Sequence, residues 1–201
     1  MARPKEFNPD AAVDRAIEYF SRHTYYGTNV RDLARHMGIR SSSFYNTFGD
    51  KHHVYLLALT RYLEQLRTEQ SRLYAQTEAS VDGLRRILSL AIDSYLTGPT
   101  LGDWGMFAVN ATLETILHDP EVRALMMSNL DAFHAILEAF FVRCQEAGTM
   151  PRHHSPQALA QYTVGVITSL TTMARLAPDR QVLEDIVTVA LDALHNGRVT
   201  R

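Results

Sequence analysis

The segment 28–51, TNVRDLARHMGIRSSSFYNTFGDK, decides the fold. Val30, Leu33, Ala34 and Met37 recur at helical spacing and give one apolar face. Gly38 then stops the helix, because glycine tolerates the left-handed conformation such a turn needs. Ile39 and Phe44 can pack back onto that first helix, which leaves Arg40, Ser41, Ser42, Tyr45 and Asn46 facing outward. Two short helices at a steep angle, the second presenting small polar and basic groups, predict a helix-turn-helix. The second helix is shaped to enter the major groove of DNA.

Outward from this motif the pattern is helical nearly everywhere. A helix over 9–23 carries the stripe Ala12, Val13, Ala16, Ile17 and Phe20, which should pack beneath the motif. Thr28 is expected to cap the second helix through its hydroxyl, and Asp50 to cap a fourth that runs to about residue 74. Leu56, Leu59, Leu63 and Leu66 line that fourth helix, the expected link between two domains. Further helices are predicted over 81–96, ended by Gly98-Pro99; over 104–118, broken at Asp119-Pro120; and over 121–147, ended by Gly148 and Pro151. Ser155 should cap a helix that opens with Pro156 and ends near 177, and the last runs over 179–196 with Gly197 as its stop. His118 and Asp119 have capping as their default role. The expected class is all-α with about nine helices. A DNA-binding domain covers 1–51, and a ligand-binding and dimerisation domain covers 52–201.

Composition narrows the function. Of 201 residues, 46% are apolar, enough for a proper core. The net charge of −2 is not that of a globally basic chain, so DNA binding requires clustered positive groups. Arg3, Lys5, Arg31, Arg35, Arg40 and Lys51, with His52 and His53 beside them, supply such a cluster in the first quarter. The single Cys144 excludes an intramolecular disulfide, fits a reducing cytoplasm, and reads as an inert core thiol. No leader-like apolar run opens the chain, and no apolar stretch is expected to cross a bilayer. His52-His53 and His153-His154 lack the one-turn spacing of a helical zinc site. No phosphate-cradling glycine loop or nucleophile elbow occurs. No metal, no cofactor and no catalytic activity are expected.

At Thr28, Leu33, Ala34, Met37, Gly38, Ile39, Phe44, Tyr45, Phe48 and Lys51 the chain resembles the TetR family of transcriptional regulators. A looser likeness to the family's ligand domain appears at GMFAVNATLE (105–114) and HDPEVRALM (118–126). The chain departs from the pattern at Arg40, often a capping Ser or Thr, and at Ser42, often a Gly; both bear on the operator sequence. The resemblance implies a ligand-responsive regulator, a repressor in the first instance, that binds double-stranded DNA as a dimer.

The residues expected to contact DNA are Thr28, Arg40, Ser41, Ser42, Ser43, Tyr45, Asn46, Lys51 and His52. The serines can bond bases or phosphates. Arg40 can read a guanine edge or clamp a phosphate, and the second is favoured because backbone bonds outnumber base bonds in such interfaces. Tyr45 divides evenly between the phosphate contact that the resemblance implies and packing between helices. Thr28 and Lys51 stand at helix starts, where backbone N–H groups favour an anion.

The residues expected around a ligand are Trp104, Met106, Phe107, Asn110 and Glu114, at helical intervals, with Phe133 and His134 on the next helix. Asn110 and Glu114 are polar groups in an apolar run and need partners: a neighbouring helix, a backbone carbonyl, or a ligand between helices. His134 fits a satisfied core residue better than a ligand contact. An apolar wall with few polar groups suits a small hydrophobic effector. On the last two helices, Leu159, Tyr162, Val166, Ile167 and Leu170 with Leu183, Ile186, Val187, Ala190, Leu191 and Leu194 exceed what one core needs. They predict a homodimer through residues 155–196 and hence a palindromic operator. Two rivals remain: a DNA-binding dimer that senses nothing, and an all-helical enzyme with an appended helix-turn-helix.

Overall fold

The computed structural model describes residues 7–97 and 102–196, apart from the side chains of 102–106 and 195–196. Arg3, Lys5 and the stops at Gly98-Pro99 and Gly197 lie outside the described residues. Among those described, the chain forms nine helices: α1 (Pro9–Arg22), α2 (Val30–His36), α3 (Ser41–Phe48), α4 (Lys51–Gln76), α5 (Val81–Thr97), α6 (Gly102–Glu114), α7 (Pro120–Glu146), α8 (Pro156–Leu176) and α9 (Arg180–Asn196). The all-α reading, with an N-terminal helix-turn-helix, is the observed architecture.

Local chemistry sets most boundaries. Asn8 Oδ1 accepts from the Asp10 and Ala11 N–H groups, and Pro9 follows at the first helical position. Asp50 Oδ1 accepts from the His53 N–H at 2.8 Å and caps α4 as expected. Ser155 Oγ does the same for α8 through the Ala158 N–H at 3.2 Å. Asp119 Oδ1 accepts from the N–H groups of Glu121 and Val122 at the start of α7. One expected cap differs. The cap of α2 is Asn29, whose Oδ1 accepts from the Asp32 N–H at 2.9 Å. Thr28 is buried instead, and its hydroxyl donates to the Thr24 carbonyl at 2.7 Å. The Asn29 side chain reaches the first turn of α2, and Thr28, one residue earlier, is left to close the preceding turn. The sixth helix also stops earlier than expected, at Glu114; residues 115–118 form a turn before the Asp119 cap.

The packing divides the chain into two compact units, each built from discontinuous segments. The first comprises residues up to Leu66 with Asp103–Ser128; the second comprises Arg67–Gly102 with Asn129–Arg201. The expected division after residue 51 follows the motif, whereas packing assigns the start of α4 and most of α6 to the same unit as α1–α3.

In the first unit, Ala16 and Phe20 of α1, Leu33 and Met37 of the α2 end, Phe44 of α3, and Tyr55, Leu59 and Tyr62 of α4 form one core. Phe107 of α6 sits among the α1 and α4 rings: its ring stacks on Phe20 at 5.7 Å and meets Tyr55 and Tyr62 at 5.3 and 5.4 Å. Such offset and edge contacts add to the area that aromatic rings bury.

The second unit packs Leu84, Leu88 and Ile92 of α5 with Leu137, Phe140 and Phe141 of α7, and with Leu159, Leu170, Leu183 and Leu191 of α8 and α9. The last carbonyls of α4, at Tyr74 and Ala75, accept from the Arg143 guanidinium. Cys144 is fully buried here, and burial pushes its thiol up to about 11.

One expectation about membranes is corrected. By length and apolar composition α7 is sufficient to cross a bilayer. Such a helix also serves as a core helix, and Leu137, Phe140, Phe141 and Cys144 of α7 are enclosed in the second unit.

The turn between α2 and α3 rests on Gly38, at φ +73°. There the Met37 carbonyl accepts from the Arg15 guanidinium at 3.0 Å, tying the turn to α1. Gly38→Ala should destabilise the protein by about 1–2 kcal/mol, because a side chain disfavours that backbone region. Urea unfolding followed by circular dichroism would show the loss as a lower midpoint.

Candidate nucleic-acid interface

The third helix has two chemically distinct faces. Phe44 and Phe48 are buried, at 0% and 6% exposure, and point into the first core. Ser41, Ser42, Tyr45 and Asn46 are exposed on the opposite side, with Ser43 half-buried between them. Positions 41, 42, 45 and 46 share a face because one turn spans 3.6 residues. Arg40, also exposed, occupies the N-cap position and makes no side-chain cap bond. Tyr45, with two roles open from sequence, is 54% exposed although its ring edge meets Phe44 at 5.6 Å. The face thus offers hydroxyls, an amide, a phenol and a guanidinium to a partner, all carried on a rigid element.

The remaining expected contacts have partners within the protein. Lys51 Nζ donates to the carbonyls of Tyr25 and Thr28, both at 2.9 Å, and lies 4.3 Å from the centre of the Tyr25 ring. Burial lowers its pKa from the ordinary lysine value. His52 Nε2 sits 2.6 Å from Asp119 Oδ2. Burial opposes the charge on Asp119, but the Val122 N–H, the His52 imidazole and the Glu121 N–H outweigh it and hold the carboxyl below its ordinary range. With the buried Thr28, these residues hold together the turn between α1 and α2 and the start of α4. Their positions at helix starts suggested an anion site; the carbonyls that Lys51 meets come from a turn whose closure is not readable from spacing.

The expected ligand contacts separate. The side chains of Trp104 and Met106 lie outside the described residues. Phe107, Asn110 and Glu114 belong to the first unit, Phe133 and His134 to the second, and neither unit by itself gathers both sets. Asn110 is buried, and its Nδ2 donates to the carbonyls of Phe20 and Ser21 at 3.3 and 3.4 Å. Glu114 Oε2 accepts from the Tyr25 N–H at 2.8 Å. Of the partners left open from sequence, both side chains therefore have one in the backbone at and after the end of α1. Phe133 meets Tyr74 edge-on at 6.0 Å, and His134 is half-buried.

One polar residue passed over in the sequence stands out in the second unit. Gln70 of α4 has a buried Oε1 that accepts no hydrogen bond among the described residues. It lies one turn before Tyr74, whose hydroxyl burial drives well above the ordinary tyrosine range, with Tyr95 adding to the shift. Tyr95 in turn bonds the Thr171 side chain. The signal was available: Gln70 interrupts the apolar spacing of Leu63, Leu66 and Tyr74.

Residues 12–57, from α1 into α4, match the family described as bacterial regulatory proteins, tetR family. Over these residues the chain carries the DNA-binding segment of TetR-type regulators. It is similar to the HTH-type transcriptional regulator YezE of Bacillus subtilis (strain 168), with 29% identity over 195 residues, 96% of this chain and 100% of that one. It is also similar to the HTH-type transcriptional repressor ComR of Escherichia coli (strain K12), with 23% identity over 86% of this chain and 82% of the relative. Among solved structures, the TetR family transcriptional regulator CifR, complexed with 26-bp double-stranded operator DNA, superposes with a TM-score of 0.77 at 22% identity. That superposition covers 96% of this chain and 100% of the other.

Substituting the exposed face of α3 should weaken DNA binding without touching the core. For Tyr45→Phe, operator affinity should fall by about 1 kcal/mol, the ordinary worth of one hydrogen bond, while the thermal midpoint stays put. Fluorescence anisotropy over a range of salt concentrations measures this. Asn46→Ala should instead relax discrimination at one base position if its amide reads a base edge.

Proposed function

We propose that this chain is a TetR-family regulator, a repressor that holds a palindromic operator as a homodimer and is released by a small hydrophobic effector. The observation that carries the reading is the exposed α3 face: Arg40, Ser41, Ser42, Tyr45 and Asn46 stand on one side of a helix whose other side is locked into a core. The relative ComR is a repressor and CifR is complexed with operator DNA, which supports the same reading here. Arg40 and Tyr45 would hold phosphates, and Ser42 and Asn46 would meet base edges. The protein acts in the cytoplasm and has no catalytic role; the relatives named above are regulators.

Two copies are proposed to meet through α8 and α9. Part of the expected surface closes the protein's own core: Leu159, Leu170, Leu183, Val187 and Leu191 are buried. What remains outside is Tyr162, Gly165 and Ser169 on α8, with Val166 half-buried beside them, and Val182 and Val189 on α9, with Ile186 half-buried between them. These lie at three- and four-residue intervals, so each helix offers one continuous stripe. Val189 is 68% exposed, and no Cβ neighbour would meet a side chain added at Gly165. A Val189→Glu substitution should give a monomer and abolish operator binding, because it buries an unpaired charge between copies. Sedimentation velocity at micromolar concentration measures this; a native protein that sediments as a monomer would sink the dimer.

The effector is proposed to act by population shift. DNA and effector favour different separations of the two recognition helices, so each weakens the other's binding. Helix α4, which belongs to both units, is the proposed link. Gln70 supports a ligand in the second unit: a buried amide oxygen without a donor is costly, and a ligand hydroxyl or N–H would satisfy it. Asn110, already bonded to two carbonyls, is the weaker candidate. Gln70→Leu should leave operator binding intact and raise the inducing concentration roughly tenfold, the worth of about one hydrogen bond. Operator release measured across a panel of small aromatic and aliphatic alcohols and amines tests this. An unchanged inducing concentration would remove Gln70 from the site.

A further inference from the structure

We infer that Glu114 is a positioning residue for DNA recognition: from α6 it grips the turn that feeds the helix-turn-helix. The inference rests on the reading of α3 as the DNA-contacting helix.

Between α1 and α2 the chain leaves the helical hydrogen-bond ladder, so its N–H groups need other acceptors. Helix α1 ends at Arg22, and His23, its C-cap, donates to the Tyr19 carbonyl. The Tyr25 N–H comes next in a turn and finds its acceptor far away in sequence, at Glu114 Oε2, 2.8 Å off. The carbonyl of the same residue is held as well. It accepts from the Thr28 N–H at 3.2 Å and from Lys51 Nζ at 2.9 Å. Tyr25 is thus clamped through its N–H by an anion and through its carbonyl by a cation. Hydrogen bonds with one charged partner are stronger than neutral ones.

Glu114 does not act alone on this side. One turn earlier, Asn110 Nδ2 donates to the carbonyls of Phe20 and Ser21 at the end of α1. One residue later, Thr115 Oγ1 lies 3.3 Å from the Tyr55 hydroxyl of α4. At the end of the following turn, Asp119 meets His52. The strip 110–119 therefore meets α1, the turn and α4 by polar bonds, all within one compact unit. The turn leads directly into α2, which has only seven residues and packs on α3. Its entry point is fixed at one end by this clamp. Losing the clamp frees the turn and hence the placement of α2 and α3, without removing any group that touches DNA.

The experiment compares Glu114→Leu with Glu114→Gln in the full-length chain, using a duplex selected by the native protein from a randomised pool. Glu114→Leu should lower affinity for that duplex roughly tenfold, with the salt slope unchanged because no phosphate contact is lost. Hydrogen exchange at the Tyr25 amide should accelerate in the same variant. Glu114→Gln keeps an acceptor oxygen and should restore both affinity and protection. Native affinity or native Tyr25 protection in Glu114→Leu overturns the inference, and so does a reduced salt slope. Should Glu114→Leu lose helical content, Glu114→Gln decides: a folded variant with tenfold weaker binding shows that the retained acceptor does not position the turn, and overturns it. Tyr45→Phe, run in parallel, separates the two readings. If Tyr45→Phe binds as tightly as the native protein, the α3 interface fails; if only the Glu114 variants are silent, the positioning role fails and the interface stands.

Discussion

The DNA-binding head depends on a ring it does not itself encode. Helices α1 to α3 are short, and so small an assembly buries too little apolar surface to be stable alone. Phe107 of α6 supplies the missing mass, in contact with Phe20, Tyr55 and Tyr62. The compact unit therefore contains a stretch of chain from well beyond the motif. This accounts for the polar bonds that Asn110, Glu114 and Thr115 make to α1, the turn after it and α4. Once the ring is docked, the polar groups one and two turns later must find partners nearby, and the ends of α1 and α4 provide them.

The helices and the recognition face were legible in the sequence for a simple reason: both are local. Gly38 at positive φ, the buried pair Phe44 and Phe48, and the caps at Asp50, Asp119 and Ser155 each follow from spacing over a few residues. The contacts of Lys51, His52, Asn110 and Glu114 were not legible, because their partners lie 23 to 90 residues away in sequence. A helix-start position suggested an anion for Lys51, whereas the fold brings it two carbonyls. Thr28 and Asn29 are both able to cap, and only the backbone path decides between them. The place of Gln70 in the stripe of Leu63, Leu66 and Tyr74 was visible, but only the closed surroundings show that its Oε1 lacks a donor among the described residues.

Burial sorts the residues of the last two helices. A row of leucines and valines cannot by its composition say which members face inward. Leu170 and Leu183 turn out to be core, while Val189 and Tyr162 lie outside. The same ambiguity attends α7, whose apolar length would suit a bilayer. The enclosure of Phe140, Phe141 and Leu137 shows where part of its apolar character goes.

Cys144, sealed among these rings, has a further consequence. Attack on an oxidant or electrophile requires a thiolate that solvent can reach, and this sulfur is neither ionised near neutral pH nor exposed. Peroxides, quinones and other thiol-seeking compounds thus find no chemical handle at the one cysteine in the chain. At this position the regulator is deaf to redox stress, and covalent capture of sulfur is closed as a route for its signals.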